Sequence, residues 1–281
     1  MRWIPGQQSG DIEDRRGQSG GGFGGRHIGI GGLVVLLVLS VVFKRNFFAL
    51  LGGGGEGGGG GAASTPSTPQ EDSLVKFVSF VLDDAQSTWE RLLPAMGVQY
   101  HHAKLVLFRD GVESTCGFAE SATGPFYCPG DEKVYIDLGF YEDLRDRFGA
   151  PGDFAEAYVL AHEIGHHVQK LLGTMDKVHE AARMRPAQAN DLSVRTELQA
   201  DCYAGVWGHT TADRQILEPG DLDEGLRAAA SVGDDRLQRM STGHVSPDAF
   251  THGTSAQRVK WFKRGFESGR LDACDTFSVA D

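Results

Sequence analysis

The chain has 281 residues, a formal charge of −11, ten histidines and four cysteines, which suits one globular domain with accessory sequence. The charge is uneven: residues 1–45 hold six basic and three acidic residues, a net +3, so the remainder carries −14. A body that acidic repels phosphate backbones, which argues against a nucleic-acid partner.

Residues 1–26 are polar, rich in Gly and Arg and without apolar periodicity, and this predicts a disordered N-terminal segment. Residues 28–43, IGIGGLVVLLVLSVVF, contain no charge. Their length falls slightly short of the roughly 20 residues of a membrane span. Lys44 and Arg45 can snorkel, and Phe47, Phe48, Leu50 and Leu51 extend the apolar contact, so residues 27–51 are read as a single transmembrane anchor. A cleaved signal peptide is the competing reading, but its charged region would be unusually long and no Ala-x-Ala site follows. Four basic residues precede the stretch and two follow, which favours a cytoplasmic N-terminus and an extracytoplasmic domain. Residues 52–70, GGGGEGGGGG followed by a Ser/Thr/Pro run, form a linker, so the folded domain is expected over 71–281.

Within that domain, Leu74, Val75, Phe77, Val78, Val81, Leu82, Trp89 and Leu92 recur at helical spacing over 72–93, ahead of Pro94. KLVLF at 104–108 and KVYID at 133–137 read as strands. Cys116 and Cys128 flank a loop-like segment with Gly and Pro, leaving Cys202 and Cys274 as the other candidate pair. Two bridges fit an oxidising compartment; four reduced, buried thiols are the alternative. A helix is expected over 139–148, broken by GAPGD, after which Asp153 makes an N-cap for a helix stopping at Gly173.

That helix contains AHEIGHHVQ. His162 and His166, four apart, lie on one helical face with Cβ atoms roughly 5–6 Å apart, so both imidazoles can reach one ion. Zinc suits imidazole and carboxylate ligands. Glu163 is turned off that face yet close to it, the position for a general base. His167, about 100° further round than His166, faces another layer. A catalytic site needs a third protein ligand. A metzincin continuation would need Gly and His where the chain has Gln169 and Leu172, so that class is excluded. RTELQADCYAGVW, 195–207, instead offers Glu197 and Asp201 at a spacing of four, again one helical face.

This pairing resembles the gluzincins, whose Glu-x-x-x-Asp segment implies Glu197 as third ligand and Asp201 as hydrogen-bond partner to a ligating histidine, which fixes its tautomer. With FTHGTSAQRVKWF and an N-terminal MRW, HEIGHHVQ and ELQADCYAGVW look like the bacterial putative neutral zinc metallopeptidase family over nearly the whole chain. The resemblance implies an α+β zincin-like domain with a small sheet and C-terminal helices around 221–232 and 254–267. It implies zinc as cofactor, a peptide or protein substrate, and metalloendopeptidase chemistry with Glu163 as base. His252, by the same likeness, stabilises the oxyanion; a loop-anchoring role is the alternative, and for Arg258 a structural salt bridge. By fold analogy the strand at 134–137 lies beside the cleft and pairs with an extended peptide. Two other functions stay open: a peptidase-like domain that binds a protein or cell-envelope partner without cleavage, and a zinc hydrolase acting on another amide.

Overall fold

A computed structural model describes residues 1–4, 6–17, 68–121 and 124–278. The expected anchor at 27–51 lies outside the described residues; among these, no helix is long and apolar enough to cross a membrane. The architecture is mixed α+β. A four-stranded sheet is built from β1 (Ile12–Asp14), β2 (Lys104–Phe108), β5 (Phe126–Cys128) and β6 (Lys133–Asp137), beside a hairpin of β3 (Gly111–Ser114) and β4 (Gly117–Glu120).

The strand order is β1-β2-β6-β5, with β1, β2 and β6 parallel and β5 antiparallel to β6. Leu105 faces Val134 across the β2–β6 pair, and Leu105, Leu107, Val134 and Ile136 enter the main core. Two sequence expectations change here. The strand at 134–137 is interior over 133–135, where β2 and β5 take its two sides, and only 136 and 137 run past β5; among the described residues the edge strands are β1 and β5. The predicted disorder of 1–26 does not hold for the described N-terminal residues, since β1 pairs with β2 from Ile12↔Leu105 to Asp14↔Leu107. The segment lacks apolar periodicity because its hold on the body is mostly polar. Lys133 pairs with Glu13 at 2.6 Å, Lys104 with Asp11 at 2.7 Å, and the Met1 ammonium with Asp153 at 2.7 Å. Such partners are remote in sequence and leave no local signal.

The helices follow their sequence logic more closely. α1 (Pro69–Leu92) starts ahead of the expected boundary because Thr68 caps it and closes a capping box with Glu71. Its buried stripe includes Val75, Val78, Val81, Leu82 and Trp89. α2 (Gly139–Asp146) follows the sheet, and α3 (Asp153–Leu171) carries the two histidines. Gly152, not Asp153, is the N-cap of α3, while Gly173 adopts the left-handed conformation just past its end. Beyond it come α4 (Thr174–Met184), α5 (Ala189–Asp213), α6 (Asp221–Ser231), α7 (Asp234–Thr242) and α8 (Ser255–Ser268).

Close helix approach sets the frame of the site. α3 packs on α5, and α5 on α8. A methyl group at Gly165 would lie 3.0 Å from the Ala200 carbonyl oxygen, so the missing side chain is what lets α3 and α5 come together. The α5–α8 crossing is tighter still, with a Cβ at Gly265 falling 1.9 Å from the Cys202 carbonyl oxygen. Both expected disulfides form, Cys116–Cys128 and Cys202–Cys274. The second closes a separation of 72 residues, worth roughly 4 kcal/mol on the chain-entropy model, and ties α5 to the C-terminal end of the chain. Gly265→Ala is expected to destabilise the protein by about 1–3 kcal/mol or more, since only backbone could move to admit the methyl group. Denaturant titration checks this, and an unchanged midpoint would mean that the two helices do not touch backbone to backbone.

Candidate metal centre

α3 and α5 bring three potential ligands together. The ligand atoms of His162, His166 and Glu197 lie within 4.8 Å of one another. His162 Nε2 is 3.2 Å from Glu197 Oε2, and His166 Nε2 is 3.4 Å from Oε1 of the same carboxylate. The helical spacing of four aligns the histidines, and the Gly165–Ala200 contact brings the carboxylate opposite them.

The other ring nitrogens are committed elsewhere. His162 Nδ1 is 2.9 Å from Asp201 Oδ1, and His166 Nδ1 is 2.9 Å from Gln169 Oε1. Since a carboxylate and an amide oxygen can only accept, both Nδ1 atoms donate, which leaves each Nε2 lone pair available toward Glu197. Gln169 is itself held, donating to Thr196 O at 2.7 Å and to Gln199 Oε1 at 3.1 Å. Two imidazoles with fixed tautomers and one carboxylate form a donor set that fits zinc.

Asp201 is the hub behind the ligands. It is fully buried and accepts from Arg258 Nε at 2.8 Å, Arg258 Nη2 at 2.9 Å and the Tyr158 hydroxyl. Burial works against its charge, but Arg258 and His162 outweigh it and hold the Asp201 carboxyl below its ordinary range. Burial likewise opposes the Glu197 carboxylate, and His166 and His162 hold it well below the usual value. For His162, burial pulls downward while Asp201 and Glu197 push upward, to about 10. The carboxylates therefore demand positive charge at this spot, which a proton or a metal ion can supply, and the two compete.

The remaining sequence candidates fall as follows. Glu163 is buried, at 7 % exposure, and makes no hydrogen bond or ion pair among the described residues. Its carboxylate is thus uncommitted, on the residue next to His162 in α3. His252 sits in the loop before α8, where Asp234 accepts from the backbone N–H groups of Thr251 at 2.7 Å, His252 at 2.6 Å and Gly253 at 3.1 Å. The same carboxylate meets His252 Nδ1 at 3.2 Å. Gly253, at φ 88°, lies against Val194 and Leu198 of α5, so this loop is seated next to the helix that bears Glu197. The Asp234 hydrogen bond raises the His252 pKa, burial opposes it, and the Glu197 charge adds to the rise. Arg258 is buried against Asp201 and makes the structural salt bridge, not a surface for substrate. His167 is no member of the cluster; it bridges the Tyr127 hydroxyl at 3.0 Å and the His101 carbonyl at 2.7 Å.

Tyr158, Gln169 and Asp234 went unrecognised in the sequence. The first two carried a signal, since Tyr158 stands four residues before His162 and Gln169 three after His166, both on the ligand face of α3. Asp234 carried none, because its partners lie in a loop beyond the far end of α7, the helix that Asp234 itself begins.

A family model described as "Putative neutral zinc metallopeptidase" matches residues 1–277. The chain is 48% identical over 283 residues to "Uncharacterized protein YpfJ" of Escherichia coli strain K12, covering 99% of each chain. It is 45% identical over 210 residues to "Uncharacterized protein Rv2575" of Mycobacterium tuberculosis strain H37Rv, covering 71% of this chain and 69% of the relative. "Uncharacterized protein Mb2605" of Mycobacterium bovis matches to the same extent. No solved structure matches the chain.

Proposed function

The chain belongs to the putative neutral zinc metallopeptidase family, and from that membership and the ligand geometry we propose that it is a zinc-dependent peptidase acting on peptide or protein substrates. The observation that carries this reading is the convergence of His162 Nε2 and His166 Nε2 on the Glu197 carboxylate, at 3.2 and 3.4 Å, with both Nδ1 atoms tied down behind them.

In this reading His162, His166 and Glu197 hold the ion. Zinc supplies Lewis acidity toward a carbonyl oxygen and toward water. Glu163 takes the proton of the attacking water and returns it to the leaving amine, work for which an uncommitted carboxylate is suited. Asp201 and Gln169 fix the imidazole rings so that no reorientation is needed during reaction. His252, whose pKa the Asp234 hydrogen bond raises, donates to the oxygen on which negative charge develops. The outer edge of β5, with the end of β6 at 136–137 that runs past it, is available to align an extended peptide. Residues 27–51 tether the domain to a membrane, and the two disulfides support an oxidising side for it.

The test is cleavage of unfolded proteins by the purified chain, abolished by a chelator and restored by zinc. A zinc-loaded chain that cleaves no peptide bond would favour the binding reading instead. His252→Gln is expected to lower kcat about 10²–10³-fold with zinc content unchanged. Its pH dependence has a definite sign: the raised pKa keeps His252 charged above the ordinary imidazole range, so the alkaline fall in kcat lies above that range. The fall disappears in the variant; a pH profile and kcat unaltered by His252→Gln would remove the residue from the mechanism.

A further inference from the structure

The described N-terminal residues and the metal-bearing domain form one body, although the apolar stretch 28–43 lies between them in the chain. Ahead of that stretch, β1 is paired with β2, the Arg15 N–H donates to Leu107 O at 2.8 Å, and the Arg2 N–H donates to Ile216 O at 2.7 Å. Lys133–Glu13 and Lys104–Asp11 ion pairs reinforce the strand, and the Trp3 ring meets Phe77 edge-on at 5.4 Å. Behind the stretch, α1 is the helix on which the same segment lies. The Ser9 N–H donates to Ser79 Oγ at 3.0 Å, Ser9 Oγ donates to Asp83 at 2.6 Å, and Gln86 Nε2 donates to Asp11 at 3.0 Å.

Contacts of this kind cannot reach across a hydrocarbon layer about 30 Å thick. We propose that residues 1–17 lie on the same side of the membrane as the metal-bearing domain, and that the intervening chain meets a single leaflet from that side. The proposal rests on the membrane association proposed above and is independent of cleavage. A stretch that both entered and left through the opposite face would need two apolar spans of roughly 20 residues each. Between residues 17 and 68 the sequence has one long run that is both apolar and uncharged, at 28–43, followed at once by Lys44 and Arg45. Those two cations and Arg26 flank the run, which suits a leaflet bearing anionic headgroups. Because the domain carries two disulfides, the shared side is the oxidising one, and the N-terminus goes with it. This replaces the cytoplasmic N-terminus expected from the basic-residue balance: strand pairing and ion pairs fix the position of residues 1–17 more firmly than a small charge asymmetry does.

Sidedness can be measured on the full-length chain in sealed membrane vesicles of both orientations, with a membrane-impermeant maleimide. The described cysteines are all in disulfides, so added thiols report alone. Gly6→Cys and Met184→Cys, made separately, probe the two parts: nothing lies within 4 Å of a Cβ at Gly6, and Met184 is 68 % exposed. Equal labelling of the two variants in right-side-out vesicles, with both protected in inverted ones until detergent is added, is the expected result. Opposite sidedness would overturn the proposal. Recovery of the full-length chain entirely in the soluble fraction of gently lysed cells, with no wash applied, would also overturn it, while leaving the peptidase reading intact.

Discussion

Glu163→Gln is expected to cut peptide cleavage by about 10²–10⁴-fold while the purified chain keeps its zinc. The substitution preserves shape and removes basicity. Because Glu163 makes no hydrogen bond or ion pair among the described residues, and His162, His166 and Glu197 remain, neither the fold nor the ligand set has a reason to change. Metal content by elemental analysis and turnover on an unfolded protein, read on the same preparation, separate the two roles. Zinc lost together with activity would mean that Glu163 belongs to the ligand sphere, and cleavage surviving at the wild-type rate would require another base.

Asp201→Asn is expected to have the larger structural cost. Asp201 and Arg258 are buried together, and removing one charge leaves the other unpaired, a loss of about 3–5 kcal/mol. The same change weakens the hydrogen bond that orients His162, for which zinc affinity falls about 10–100-fold. Pairing the substitution with Arg258→Met separates the effects: the double variant recovers part of the stability, because no cation is left stranded, but not the affinity. The pH dependence has the same origin. The Asp201 carboxyl sits below its ordinary pKa, since Arg258 and His162 outweigh the burial that opposes its charge. Its contribution to stability is therefore complete above the unfolded carboxylate range and is lost as pH falls through the lower folded value. Denaturation midpoints that agree between the wild type and Asp201→Asn at neutral pH would contradict the buried pair.

The site was largely legible because its essentials are local. His162 and His166 are joined by one helical turn, as are Glu197 and Asp201, and a spacing of four has the same meaning in any amphipathic helix. The cysteine pairing was legible for a related reason, since a Gly- and Pro-containing loop between Cys116 and Cys128 left only one further pair. Arg258 was not legible. Whether an arginine in a C-terminal helix meets substrate or a buried acid depends on how α8 crosses α5, and Gly265 sets that crossing through a backbone contact with Cys202. His252 was half legible: the loop could be seen, but not the Asp234 carboxylate that gathers three of its N–H groups.

By itself the sequence determined the helix pair, the residues that meet at the candidate metal centre and the family, because each of these is written in periodicity and residue type along one or two turns of chain. Only the tertiary structure decided that β5 flanks β6 over 133–135, that Arg258 serves Asp201, and that the described residues among 1–17 are part of the body they precede. The physical reason is common to all three. Strand order, a buried ion pair and a three-residue parallel strand draw their stability from partners tens to hundreds of residues away, and no local pattern can encode an interaction whose other half is elsewhere.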